Sequence, residues 1–176
     1  MNGCRSVIVG VGNPIRSDDA VGIAVARLVH ERLAAYRNTD RGQVDLIETA
    51  VGGFDLIEQL AGYDKAVVID AIQTEGGRAG DCYVVDLEGP LPGGCPSMTH
   101  HVGLMEGLAL ARVLAMDVPE YLRVYAVEAA DVRTFGTGMT DRVKAAVPQI
   151  AEEILANEFG ASPRLDKRSS EGGIPI

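Results

Sequence analysis

Tryptophan is absent from this 176-residue chain, and five Tyr and three Phe are its only other aromatics, too few for the stacking platform of a single-strand nucleic-acid binder. Basic charge is also in deficit. Sixteen Lys and Arg stand against 25 Asp and Glu, a formal charge of −9, which argues against a general grip on phosphate backbones or anionic lipid. No stretch approaches the roughly 20 unbroken apolar residues of a spanning helix. The N-terminal residues also lack the apolar core and cleavage site of a signal peptide. Neither nucleic acid nor membrane is expected as a partner. Cysteine is scarce: Cys4, Cys82 and Cys95 are odd in number and widely spaced, with no CxxC pair and no disulfide framework. A reducing cytoplasm is the expected setting.

What is present is 47% hydrophobic residues and 21 glycines, enough apolar material for one core and enough turns for an α/β protein. One domain is expected over residues 1–158, followed by a flexible tail over 159–176, where Ser, Pro, Gly and both charge signs alternate without period. The β-branched run 6–11 ends at Gly10-Val11-Gly12-Asn13-Pro14 and reads as a buried strand running into a turn. Apolar residues at helical spacing predict a helix over 18–36 with Ser17 as N-cap. Further strands are expected at 43–48, 66–72, 80–87 and 122–128. Helices are expected at 54–60, from 99 or 100 to 116, and at 140–157, the last kinked by Pro148. The connection 73–79 is too short for a helical crossover, so the strands on either side of it are antiparallel or not adjacent. The fold class is therefore α/β, a three-layer α/β/α sandwich with a mixed, mostly parallel five-stranded sheet. Ligands of such sheets gather beyond the carboxyl ends of the parallel strands, which singles out the residues after Val11, Ile69 and Val127.

The glycine pair Gly10 and Gly12 invites a dinucleotide-binding reading, but that fingerprint needs a third Gly where Ile15 stands. Asp18 and Asp19 would also put two anions where a pyrophosphate needs a helix N-terminus. No organic cofactor is expected. A phosphate-binding loop fails for want of a Gly-Lys-Ser/Thr, and a serine nucleophile for want of Gly-x-Ser-x-Gly. What remains is an Asn-Pro turn that sets two carboxylates at the start of a helix. One of them is expected merely to complement the helix dipole. Asp70 leaves a buried strand, where a carboxylate has to be paired, metal-bound or raised in pKa; the plain alternative is that it caps the turn 71–76. With the first and third strands as neighbours, Asp19 and Asp70 face one crevice. His100 and His101 follow a Gly/Pro-rich loop at a helix entrance, from which one imidazole can reach that crevice. Two carboxylates and an imidazole form an O,O,N set that suits a borderline divalent ion such as Zn, Mn, Fe or Ni. His30 reads as a solvated bystander, Cys4 and Cys82 as small strand residues, and a Cys95/His100 nucleophile pair rests on proximity alone.

These residues resemble the hydrogenase maturation endopeptidases, from about residue 6 to about residue 157. The motif Gly10-x-Gly12-Asn13-x-x-x-x-Asp18-Asp19-x-x-Gly22 carries most of the likeness. It is joined by Gly52-Gly53-Phe54-Asp55-Leu56, Ile69-Asp70-Ala71, Thr99-His100-x-x-Gly103-Leu104, and Val127-Glu128 before Met139-Thr140. The resemblance implies an endopeptidase that removes the C-terminal extension of a nickel-iron hydrogenase large-subunit precursor after nickel insertion. Its metal and catalytic residues would be Asp19, Asp70 and His100, with His101 as the alternative to His100. Nickel would arrive with the substrate as the recognition handle, while Asn13 and Asp18 position the loop. Client choice would then depend on loops such as 89–98 and 129–138. A nickel-binding maturation chaperone without peptidase activity is the other reading of the same crevice.

Overall fold

The computed structural model describes residues 4–35, 43–85, 99–136 and 138–160, with the side chains of residues 99–102 outside the description. Five strands alternate with helices: β1 (Ser6–Val11), β2 (Val44–Thr49), β3 (Lys65–Ile72), β4 (Cys82–Val85) and β5 (Tyr121–Glu128). The helices are α1 (Val21–Ala35), preceded by a single 3-10 turn (Ser17–Ala20), then α2 (Gly53–Leu60), α3 (Thr99–Val113) and α4 (Asp141–Phe159). The sheet order is β2-β1-β3-β5-β4. All neighbours are parallel except β4, which runs antiparallel to β5. The short 73–79 connection accordingly leads to a strand that is not adjacent to β3. The expected mixed α/β sheet is present.

Alternation along the strands explains the layers. In β3, Ala66 and Val68 face one side, where they meet Leu56, Ile57 and Leu60 of α2 and Leu104, Leu108 and Ala111 of α3. Val67 and Ile69 face the other side, against Val25 and Val29 of α1 and Ile150 and Ile154 of α4. Both faces of the central strands are covered, which is why they read as continuous apolar runs.

Several local expectations are corrected. The first helix begins with a 3-10 turn, and Ser17 does not cap it; its hydroxyl donates instead to the Gly138 carbonyl at 3.2 Å. Cys4 is exposed and precedes β1 rather than lying in a strand. Cys82 does lie in β4, where burial first and Glu153 second push its thiol up to about 12, so it is no nucleophile at neutral pH. His30 is half-buried, with Nε2 3.2 Å from the Val44 carbonyl, and so joins α1 to the start of β2. Helix α3 stops at Val113 because Ala115 turns left-handed (φ 53°). Bonds from Met116 N–H to the Ala111 carbonyl (3.0 Å) and from Ala115 N–H to the Arg112 carbonyl (3.2 Å) close a Schellman cap. Helix α4 continues through Pro148, which sits on the exposed side where the acceptor it leaves unpaired can be hydrated. It ends only at Phe159, with Gly160 left-handed (φ 57°), so Phe159 belongs to the packed helix and not to the tail. The stretches 86–98 and 161–176, with Cys95, lie outside the described residues. Among the described residues no helix is long and apolar enough to cross a membrane.

Candidate active site

The strand order reverses at β1, with β2 on one side and β3 on the other, so the carboxyl ends of β1 and β3 flank the switch point where α/β sheets bind ligands. The backbone there is unusually close. A Cβ at Gly22 would lie 2.4 Å from the carbonyl oxygens of both Val11 and Ile69, so only glycine lets α1 start wedged between the two strand ends. Gly12 has φ +145°, and a Cβ on it would lie 1.9 Å from the Asp19 carbonyl oxygen. The glycines of the motif thus press the 3-10 turn down onto the edge of the sheet.

On that turn the two adjacent acids do different work. Asp18 is fully buried. Its Oδ2 accepts the N–H groups of Ala130 and Asp131, both at 3.0 Å, and the Thr140 hydroxyl at 3.0 Å. Its Oδ1 accepts the Thr140 N–H at 2.6 Å, and its own N–H donates to the Asp131 carbonyl at 2.9 Å. Every partner of the carboxylate is a donor, and Thr140 is the N-cap residue of α4. Asp18 therefore latches the β5-to-α4 loop and the start of α4 onto the turn, a role beyond complementing its own helix dipole.

Asp19 is half-buried. Its Oδ2 accepts the Asn13 N–H at 2.9 Å, and the Asn13 side chain in turn accepts the Ile15 N–H at 3.1 Å. Asn13 thus shapes the turn and orients the carboxylate together. Asp19 Oδ1 makes no hydrogen bond among the described residues.

Asp70 lies on the adjacent strand, in register with Ala126 of β5. It shares the face of Ala66 and Val68, the α2/α3 side. Its Oδ1 accepts the N–H of Ala71 at 2.8 Å, and the strand continues to Ile72, so this bond does not span the turn 71–76. His100 and His101 fall in the first turn of α3, and their side chains lie outside the described residues. Helix α3 itself is fixed against α2: a Cβ at Gly103 would lie 3.1 Å from the Gly53 Cα, and Gly53 opens α2 just after β2. The start of α3 is therefore held on the carboxyl edge of the sheet, on the face that Asp70 shares. Among the described residues no three His, Cys, Asp or Glu side chains gather closely enough to hold a metal. Asp19 on the turn after β1, Asp70 near the end of β3 and the start of α3 thus stand on the same edge of the sheet.

Two further features were given no role from the sequence. Glu128 is buried on the same face as Asp70, two residues beyond Ala126, where it accepts the Thr74 N–H at 2.6 Å and the Thr74 hydroxyl at 2.9 Å. It holds the loop after β3. The second is a pairing of loops: Arg16 bridges Phe135 and Gly136, and the Gly136 N–H donates to the Ile15 carbonyl at 2.9 Å. A buried acid at a strand end was a legible signal for Glu128; nothing local signals the loop pairing. In the paired loop, hydrogen bonds from Thr134 and Arg133 hold the Asp131 carboxyl below its usual range.

Comparison with known proteins follows the same lines. Residues 26–157 match a family model described as hydrogenase maturation protease, a span that includes Asp70 and His100 and begins after Asp19. The Hydrogenase 2 maturation protease of Escherichia coli (strain K12) is 25% identical over 153 residues, covering 86% of this chain and 89% of the relative. The hydrogenase expression/formation protein HupD of Bradyrhizobium diazoefficiens is 28% identical over 172 residues, 94% of this chain and 84% of the relative. Among solved structures, the hydrogenase maturating endopeptidase HybD from E. coli superposes with a TM-score of 0.62 at 23% identity, covering 86% of this chain and 90% of that one. The HybD protease of Thermococcus kodakarensis does so with a TM-score of 0.61 at 21% identity, covering 85% and 95%.

Proposed function

The chain belongs to the hydrogenase maturation protease family, and from that premise we propose that it is the endopeptidase that removes the C-terminal extension of a nickel-iron hydrogenase large-subunit precursor once nickel is in place. The observation that supports this reading is that Asp19, on the turn that follows β1, and Asp70, near the end of β3, stand at the carboxyl edge of neighbouring parallel strands, at the switch point of the sheet. Nickel in this reading belongs to the substrate, as its recognition handle and a Lewis acid beside the bond to be cut. The chain's part is to hold that substrate. Asp19, oriented by Asn13, and Asp70 supply oxygen donors, and His100, or His101 in its place, supplies nitrogen. Docking in this way sets the adjacent peptide for attack by water, activated by a carboxylate or directed at a carbonyl that the metal polarises.

The test is to mix the protein with nickel-loaded and nickel-free precursor and weigh the products. Only the nickel-loaded precursor is expected to be shortened, and Asp19→Asn and Asp70→Asn are each expected to slow cleavage about a hundredfold or more. Equal cleavage of both precursors, or full activity in the two variants, sinks nickel docking. Tight nickel binding without any cleavage would instead make the protein a nickel chaperone.

A further inference from the structure

The loops that leave β1 and β5 pair with each other. Because β3 lies between those strands in the sheet, the pair forms a strap across the carboxyl end of β3, with Asp19 on the turn that belongs to it. The strap is pinned at many points: by the Asp18 latch, by the Gly136-to-Ile15 bond, by the bond from Arg16 N–H to the Asn13 carbonyl at 3.0 Å, and by Ser17 to Gly138. Yet this rigid backbone holds two large apolar side chains out in water, Ile15 at 54% exposure and Phe135 at 70%. Apolar groups held in place this way lose little freedom when a partner covers them, and they cluster at binding surfaces. The strap also carries two exposed cations, Arg16, whose guanidinium lies 5.3 Å from the Phe135 ring centre, and Arg133. Among the described residues neither is paired with a carboxylate. Of the nearby acids, Asp18 is engaged by the latch and Asp131 by the N–H groups of Arg133 (2.9 Å) and Thr134 (3.0 Å), while Asp19 accepts the Asn13 N–H through one oxygen. In a chain with a net charge of −9, this leaves a local apolar and cationic wall beside Asp19.

We propose that this strap is the docking surface for the client's C-terminal extension, taking an apolar side chain against Ile15 and Phe135 and a neighbouring carboxylate at Arg16 or Arg133. The inference rests on the endopeptidase reading for the identity of the client. It adds where the chain to be removed lies and what chemistry it must have.

The experiment has two readouts. Anisotropy measures binding of a fluorescein-labelled synthetic peptide of the extension, and steady-state kinetics measure cleavage of nickel-loaded precursor. The double variant Ile15→Ser/Phe135→Ser is expected to bind the peptide about tenfold more weakly and to raise KM about tenfold, with kcat within about twofold and the melting temperature unchanged, since both side chains are exposed. Arg16→Glu is expected to weaken binding in the same sense and to reduce its salt dependence. Unchanged peptide affinity and KM in the double variant overturn the proposal. So does a wild-type dimer, seen by sedimentation, that Phe135→Ser dissociates without affecting the peptide, because the wall would then serve a second copy of the chain. Peptide binding that depends on Phe135 while wild type leaves the precursor uncut supports the docking surface and overturns the endopeptidase reading.

Discussion

Replacing Asp18 by Asn tests the latch with almost no change in shape. The carboxylate is fully buried and accepts four hydrogen bonds, three at Oδ2 and one at Oδ1. An amide can keep its oxygen toward the three donors at the Oδ2 position. Its NH2 then faces the Thr140 N–H, donor against donor. A buried hydrogen bond to a charged acceptor contributes about 1.5–3 kcal/mol, and a stranded buried donor costs about 1–3 kcal/mol. With some relaxation, Asp18→Asn is therefore expected to destabilise by about 3 kcal/mol, which for a domain of this size lowers the melting temperature by about 6–12 °C. Removing the Thr140 hydroxyl with Thr140→Val is expected to cost about 1 kcal/mol alone. Combined with Asp18→Asn it should cost less than the sum, because both changes act on one network. Thermal and urea unfolding of the four proteins of this cycle read the coupling. An Asp18→Asn protein that melts within about 2 °C of wild type, or a cycle that is strictly additive, refutes the latch.

Two other measurements reach the rest of the fold. Glu158 is nearly inaccessible, with Lys65 Nζ 3.0 Å from Oε2 and the Tyr125 hydroxyl donating to Oε1 at 2.9 Å. Burial works to raise its pKa, but the hydrogen bonds from Lys65, Tyr125 and Tyr121 outweigh it and hold the group below 4.5. A depressed pKa contributes stability that is present above the unfolded value and lost as pH falls through the folded one. The stability gap between wild type and Glu158→Gln should therefore stay level from pH 8 to 6 and shrink below about pH 4.5; a gap that is still constant at pH 3 contradicts this account. Ala115 holds φ 53° at the end of α3, a conformation that costs a residue with a Cβ about 1 kcal/mol. Ala115→Gly is expected to raise stability by about 0.5 kcal/mol, net of the extra freedom glycine gains when unfolded, and a loss of stability in urea unfolding would show that the cap is held another way.

Period and punctuation made most elements legible. The run ending at Gly10-Val11-Gly12-Asn13-Pro14 gives β1 with its observed bounds, because β-branched residues and an Asn-Pro turn act on their immediate neighbours. The ends of helices were less legible. Helix α3 stops early because Ala115 accepts a conformation usually left to glycine, and α4 runs on because Phe159 finds apolar neighbours against the sheet. Asp70 stood out as a charge in an apolar run. Residue chemistry by itself did not separate Asp18 from Asp19, since both sit at a helix start; only the family resemblance set Asp18 to the loop and Asp19 to the site.

The sequence alone determined the alternation of strands and helices, the mixed parallel sheet and the acids that follow β1 and lie near the end of β3. These are consequences of local dihedral preference and side-chain period, which each stretch of chain carries in itself. Only the tertiary structure showed that Asp18 is sealed in while Asp19 stays half-buried. Successive residues of a 3-10 turn point about 120° apart, so one acid must turn inward. What makes that bearable is a set of donors at Ala130, Asp131 and Thr140, more than 110 residues away. The same long-range closure laid Phe135 beside Arg16. No local pattern encodes a contact of that span, because it exists only once the sheet has placed β1 and β5 on either side of β3.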